Sequence, residues 1–163
     1  MAYILGTQGF SRLAVGYPVN INDVDVKPAA VAADAPEAGI APGALLILTD
    51  TANVVTSVDP LTTAENLKNK IAGIAMATNV KLDTVFPQST EGVNWQRGQA
   101  LGCAVNGEIA VKLTGAAPVP GAPVYYNITA GAFTAAASGN LALPNMVFTG
   151  NTQGDITVVD ILY

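Results

Sequence analysis

The chain contains no histidine, one cysteine and only 12% charged residues. Each shortage removes a class of chemistry. Without histidine the commonest general base is missing, so hydrolysis through a Ser or Cys triad has no support. With one cysteine and no histidine, the usual zinc ligand sets cannot be assembled. Cys103 has no intramolecular disulfide partner, and its apolar surroundings in the sequence make it a small buried hydrophobe and not a reactive thiol. Seven basic residues are scattered among twelve acidic ones, for a net charge of −5. A surface that neutralises phosphates is therefore not expected, nor is direct nucleic-acid binding. Long apolar runs are also missing. The longest aliphatic stretch, Ala44-Leu45-Leu46-Ile47-Leu48, falls far short of the roughly 20 residues of a spanning helix, so no membrane partner is expected. The opening Met1-Ala2-Tyr3-Ile4-Leu5-Gly6 shows no basic n-region followed by an apolar stretch, and the chain reads as made and used without export by the cell that makes it.

Half of the residues are nevertheless hydrophobic. At 163 residues the chain suits one domain with its own core, and the apolar surplus favours protein–protein contact, because monomers seldom expose large apolar patches. The first 43 residues differ from the rest. Gly9, Gly16, Pro18, Pro28, Pro36, Gly39 and Pro42 break the apolar pairs there before any period can develop. Residues 1–43 are expected to form an extended arm, with a short edge strand near Ile21–Lys27 and an irregular path over Ala29–Ala38. Residues 44–163 are expected to form an antiparallel β-sandwich or barrel. Its candidate strands are Leu45–Thr49, Val54–Val58, Ile71–Ala77, Ala100–Val105, Glu108–Leu113, Val124–Asn127, Ala132–Ala135, Met146–Thr149 and Ile156–Leu162. Asn106-Gly107 predicts a type I′ hairpin between the fourth and fifth of these. Asp59 as N-cap, Pro60 at the first helical position and lysines at the end predict one short helix over Asp59–Lys70. Residues 81–99 read as a long surface loop carrying Trp95.

The motifs that carry chemistry are weak. Asp23/Asp25 and Asp155/Asp160 are candidate acid pairs, but alternation with apolar residues makes the first pair the wet face of a strand, and Asp155 sits in a turn after Gly154. Asn20–Asp25 lacks the glycine and terminal glutamate of a calcium loop, and the glycine clusters match neither phosphate nor dinucleotide fingerprints. No catalytic, metal or cofactor site is expected. Tyr3, Phe10 and Tyr17 have no local core to enter. Together with Arg12, Pro18 and Trp95 they are the candidate interface residues.

In order, the landmarks are Ala14-Val15-Gly16-Tyr17-Pro18, Ile40-Ala41-Pro42-Gly43, Ile71-Ala72-Gly73-Ile74-Ala75, and Gly98 to Val105 with Asn106-Gly107-Glu108-Ile109-Ala110-Val111. Val119-Pro120-Gly121-Ala122-Pro123-Val124-Tyr125, Gly131-Ala132-Phe133 and Gly154 to Ile161 follow. This succession resembles the capsid cement, or decoration, proteins of tailed phages across nearly the whole chain. The resemblance implies a non-enzymatic structural protein on the outer surface of the virion capsid, made in the host cytoplasm. Its partner would be the major capsid protein, and it would form a small homo-oligomer, a trimer ahead of a dimer. Two other readings are a tail, baseplate or fibre subunit, and a carbohydrate-binding module that stacks sugar on Trp95. On the arm reading, a chain lacking residues 1–38 would keep its β-fold.

Overall fold

The computed structural model describes residues 13–19, 23–58, 67, 70–77 and 94–162. Nine strands lie within them: β1 (Asp25–Val31), β2 (Leu45–Leu48), β3 (Val54–Ser57), β4 (Ile71–Ala75), β5 (Ala100–Lys112), β6 (Pro123–Asn127), β7 (Ala132–Thr134), β8 (Leu141–Gln153) and β9 (Ile156–Ile161). The strand order is β1-β3-β2-β4-β5-β9-β8-β6-β7, and β1 also pairs with β5. The first five strands therefore close into a small barrel. The all-β expectation holds, and the architecture combines a barrel with a second sheet packed on its wall. β1 and β3 run parallel, whereas β5 is antiparallel to β1, β4 and β9.

β5 joins the two layers. Its first half, to Asn106, pairs with β1 and β4, and its second half, from Gly107 to Lys112, pairs with β9. The expected hairpin at Asn106-Gly107 is not formed; the dipeptide is a bend inside one continuous strand. A type I′ turn needs positive φ at both central residues. Here Gly107 has φ +95°, while Asn53 is the sole non-glycine residue with positive φ among the described residues. The register against β1 slips between Asp25 and Val26, so Asn106 faces Asp25 while Ala104 already faces Val26. That extra residue is a β-bulge, and it reverses which face each later side chain takes. Leu101 and Cys103 enter the barrel interior before it, and Ile109, Val111 and Leu113 enter the core between the layers after it.

Two cores result. The barrel interior holds Ala29, Val31, Ala32, Ala35, Ile40, Leu46, Val55, Ala75, Leu101 and Cys103. The larger core lies between the barrel wall and the second sheet, where Leu45, Ile47 and Ile74 meet Val124, Tyr126, Phe133, Phe148 and Val159. β2 is buried on both faces, which is why Leu45-Leu46-Ile47 is an unbroken apolar run: Leu45 and Ile47 face one core and Leu46 the other. Phe133 meets Tyr126 edge to face at a 5.1 Å centroid distance, and Thr114 N–H donates to Phe133 O at 2.8 Å. This bond draws β7 back toward the end of β5.

The path expected to be irregular over Ala29–Ala38 begins as a barrel strand. β1 has β5 along one edge from Asp25 to Ala30, and β3 joins its other edge only at Ala30 and Val31. Pro28 lies in the singly paired stretch, the edge position at which proline is tolerated. The short helix expected over Asp59–Lys70 is not seen: among the described residues there is no helix. Most of that stretch lies outside the described residues. Leu67 and Lys70, which are described, form a turn closed by Lys70 N–H donating to Leu67 O at 2.9 Å.

Candidate functional site

Residues 13–19 lie against both layers at once. The N–H of Gly16 donates to Ala110 O at 2.8 Å, Ala110 N–H donates to Tyr17 O at 3.0 Å, and Val19 N–H donates to Glu108 O at 3.1 Å. The segment thus adds to the second half of β5 as an extra antiparallel strand, with Pro18 opposite Ile109. On its other side Gly16 O accepts from Ala77 N–H at 2.7 Å, just past β4. Upstream, Leu13 N–H donates to the Gln153 side-chain Oε1 at 2.9 Å, at the end of β8.

Gly16 sits in a slot with no room for a side chain. A Cβ there would lie 2.6 Å from Pro42 Cβ and 2.9 Å from the backbone nitrogens of Ala77 and Gly43, and φ is +82°. The fit is mutual, since a Cβ on Gly43 would lie 2.3 Å from Val15 Cγ1. Gly43 N–H in turn donates to Ala75 O at 2.7 Å. Two landmarks far apart in the sequence, Ala14–Pro18 and Ile40–Gly43, therefore meet at one place. The candidate interface list omitted Gly16 and Gly43. Their signal was a glycine within two residues of a proline in each landmark, which marks a tight approach only once its partner is known.

Among the candidate interface residues, Tyr17 is exposed and Pro18 half-buried on this segment. Tyr3, Phe10 and Arg12 lie outside the described residues. Trp95 reaches this segment through one peptide group, since the Met76–Ala77 unit accepts from its indole and donates from Ala77 N–H to Gly16 O. Its backbone exchanges two hydrogen bonds with Ile40, at 2.8 and 2.9 Å, and its Nε1–H donates to Met76 O at 2.9 Å. The ring packs half-buried on the barrel core. Around it, Asn94 Nδ2 donates to Ala38 O at 2.8 Å and Arg97 Nε to Ala35 O at 2.6 Å, so this stretch closes one end of the barrel. No bond runs directly from Trp95 to Tyr17 or Pro18, but the shared Met76–Ala77 peptide sets the indole beside Gly16, the residue before Tyr17.

The acid pairs do not make a reaction centre. Asp155 lies in the turn before β9 and Asp160 near its far end, about 16 Å apart by strand rise, beyond the spacing of a glycosidase pair. Asp25 accepts from Asn106 Nδ2 at 3.2 Å, a bond between neighbouring strands. Among the described residues no three His, Cys, Asp or Glu side chains are grouped to hold a metal ion. The titratable groups most removed from their ordinary range are buried in the cores. Burial pushes the Cys103 thiol up to about 11, against a smaller lowering by Lys27. It pushes the Tyr126 phenol up to about 12, although a hydrogen bond to the Leu45 backbone lowers it slightly. An open groove of about 400 Å³ lies where the barrel meets the second sheet, lined by Ile71, Val105, Leu143, Met146, Leu162 and their neighbours. Among the described residues no ionisable side chain lines it.

Comparison with known proteins follows the same direction. The sequence matches, over residues 6–162, the model of a family described as structural cement protein (E217 gp24/Pam3 gp6). Curated proteins return no match. Among solved structures, a chain from the capsid of Myoviridae phage XM1 has a similar fold. Its TM-score is 0.67 at 18% sequence identity, and the alignment covers 92% of this chain and 90% of that one.

Proposed function

Because the chain belongs to the family of phage structural cement proteins, we propose that it binds the outer surface of a phage head and bridges neighbouring major capsid protein subunits. It does so by adding buried area and without chemistry. A shell under internal pressure opens at the junctions between subunits, and a protein bound across a junction raises the barrier to opening. A stable interface of this kind buries about 1,200–2,000 Å² in total, an area a small domain gains most readily with an extended segment. Many copies on one particle then act together by avidity. The residues before β1 are the clamp in this reading. Tyr3, Phe10, Arg12, Tyr17 and Pro18 supply its aromatic, cationic and rigid contacts, and a small homo-oligomer, a trimer ahead of a dimer, presents several clamps at once.

The observation that carries this reading is the family match over residues 6–162, which spans both the N-terminal segment and the two-layer fold. The bonding of Trp95 to Met76 and Ile40 gives that ring a place in the barrel and leaves the sugar-platform reading without support. The test is to add purified protein to undecorated, expanded heads of its phage. Saturable binding at a fixed stoichiometry is expected, with heads that resist heat or chelator longer than bare ones. Heads that take up no protein, while tails bind it under immunogold labelling, would overturn the reading.

A further inference from the structure

β1 reaches past its neighbour on one side. Its β5 edge is paired from Asp25 to Ala30, whereas β3 meets the other edge only at Ala30 and Val31. Among the described residues, Asp25–Ala29 therefore have no ladder partner on the β3 side, and Asp25, Val26, Lys27 and Pro28 are all exposed. Bonds at the end of the strand show which backbone groups face this open edge. Val31 N–H donates to Gln99 O, next to β5, at 2.9 Å, and Ala30 N–H donates the other way, to Asn53 O, at 2.9 Å. Backbone groups alternate along a strand, so Lys27 and Ala29 point to β5, while Val26 and Pro28 point away from it with Ala30. The register shift opposite Asp25 and Val26 places its extra residue, Val105, in β5 and leaves this alternation intact. Val26 thus presents both N–H and C=O to the open edge, and Pro28 presents a carbonyl without an N–H.

An open strand edge is a template for another strand, although lysine and proline on such an edge also keep strands off. The register decides what fits. A second copy of β1, antiparallel about a two-fold axis, has few ways to pair. Centred on Pro28 or Ala29, it needs Ala30, whose N–H Asn53 already holds. Centred on Asp25 or Lys27, it sets like charges directly opposite. Centred on Val26, the two Val26 residues exchange N–H···O bonds, and Asp25 of each copy stands opposite Lys27 of the other on one face. Hydrogen-bond phase and charge pattern therefore select the same register. Among the described residues Lys27 makes no salt bridge within its own chain. Val26 is 45% exposed, one of the few large apolar side chains left open to solvent, and pairing covers it in both copies.

We propose that the open edge of β1 is a self-pairing surface, at which two copies join antiparallel about Val26 with Asp25 and Lys27 paired across the axis. The contact is two-fold and consumes the edge it forms on, so it closes at two copies. It makes a dimer, ahead of the trimer that the family resemblance implies. The two barrels then share a continuous sheet, in which β5 and β1 of one copy run on into β1 and β5 of the other. Pro28 and the turn at Asn53 keep the shared ladder short, so the association is reversible. The pairing concerns the free protein and does not depend on a capsid.

Sedimentation equilibrium on the free protein is the test. A reversible monomer–dimer equilibrium is expected; a monomer at every concentration, or a trimer as the oligomer formed, overturns the pairing. Lys27→Asp and Asp25→Lys are each expected to raise the dissociation constant about tenfold or more, because each sets like charges opposite one another on both sides of the axis. The two substitutions combined restore opposite charges and are expected to bring association back to within about threefold of the wild type. Single variants that associate as tightly as the wild type, or a double variant no tighter than the singles, overturn the register. Hydrogen exchange on the wild type needs no variant to fold. The Val26 amide is expected to exchange more slowly as protein concentration rises and the dimer fills, while the Lys27 amide, already turned to β5, keeps its rate. A Val26 amide indifferent to concentration overturns the pairing. No heads enter these measurements, so failure here leaves the cement reading to its own test of head binding.

Discussion

Cys103 and Tyr126 show how burial replaces reactivity in this chain. Cys103 lines the barrel interior and Tyr126 the core between the layers. Both are held neutral because the charged forms would lose hydration there. A folded pKa above the unfolded one contributes stability that is complete below the unfolded value and is lost as pH rises through the folded value. For Cys103 that window runs from 9.0 to about 11, and for Tyr126 from 10.0 to about 12. The denaturant midpoint is therefore expected to fall as pH rises above 9. In Cys103→Ala the fall between pH 9 and 11 should be shallower than in the wild type, and an identical slope would count against the assignment. The single cysteine was legible as buried because its neighbours in the sequence are apolar. The barrel around it was not.

The bend in β5 and the place of β1 were the elements least legible beforehand, and one cause underlies both. Local pattern reports which residues prefer a turn, not which strands they will join. Asn106-Gly107 has the composition of a hairpin turn, yet β1 and β9 claim the two halves of β5 and keep the chain extended through it. Only Gly107 needs a special conformation, and a Cβ there would lie 2.1 Å from Asp23 O. Gly107→Ala is expected to lower stability by roughly 2–4 kcal/mol, from backbone strain and displacement of the β1 approach, as read by urea titration. In β1 the alanines that look like filler in an arm are sized to the barrel. A closed five-stranded barrel is narrow, and Ala29, Ala32, Ala35 and Ala75 are small enough to line it. Deleting residues 1–38 would take out β1 and open the ring, so the truncated chain is expected to lose its cooperative thermal transition. Deleting residues 1–12 leaves every described strand intact and is expected to retain it. A folded product of the longer deletion would show that the barrel closes without β1.

The composition of the whole molecule takes on a different meaning once the two cores are known. An apolar surplus argued for burial against partners, but much of it is absorbed internally, since the barrel wall between the cores is apolar on both faces. Among the described residues the exposed large hydrophobic side chains are Tyr17, Val26, Leu48, Val119 and Leu162, of which Tyr17 lies on the segment that pairs with the second half of β5. This structural cement protein therefore buries much of its apolar surface within its own two layers. By itself the sequence determined the all-β class, most of the strand positions, the absence of histidine-based chemistry, and the order of landmarks that marks the family. Those are properties of residue identity and local period. The tertiary structure decided that β1 closes a barrel, that Asn106-Gly107 is a bend, that Trp95 seals a barrel end, and that Gly16 and Gly43 share one slot. Each of these depends on which distant backbone lies within bonding distance, and nothing in a local stretch of sequence carries that information.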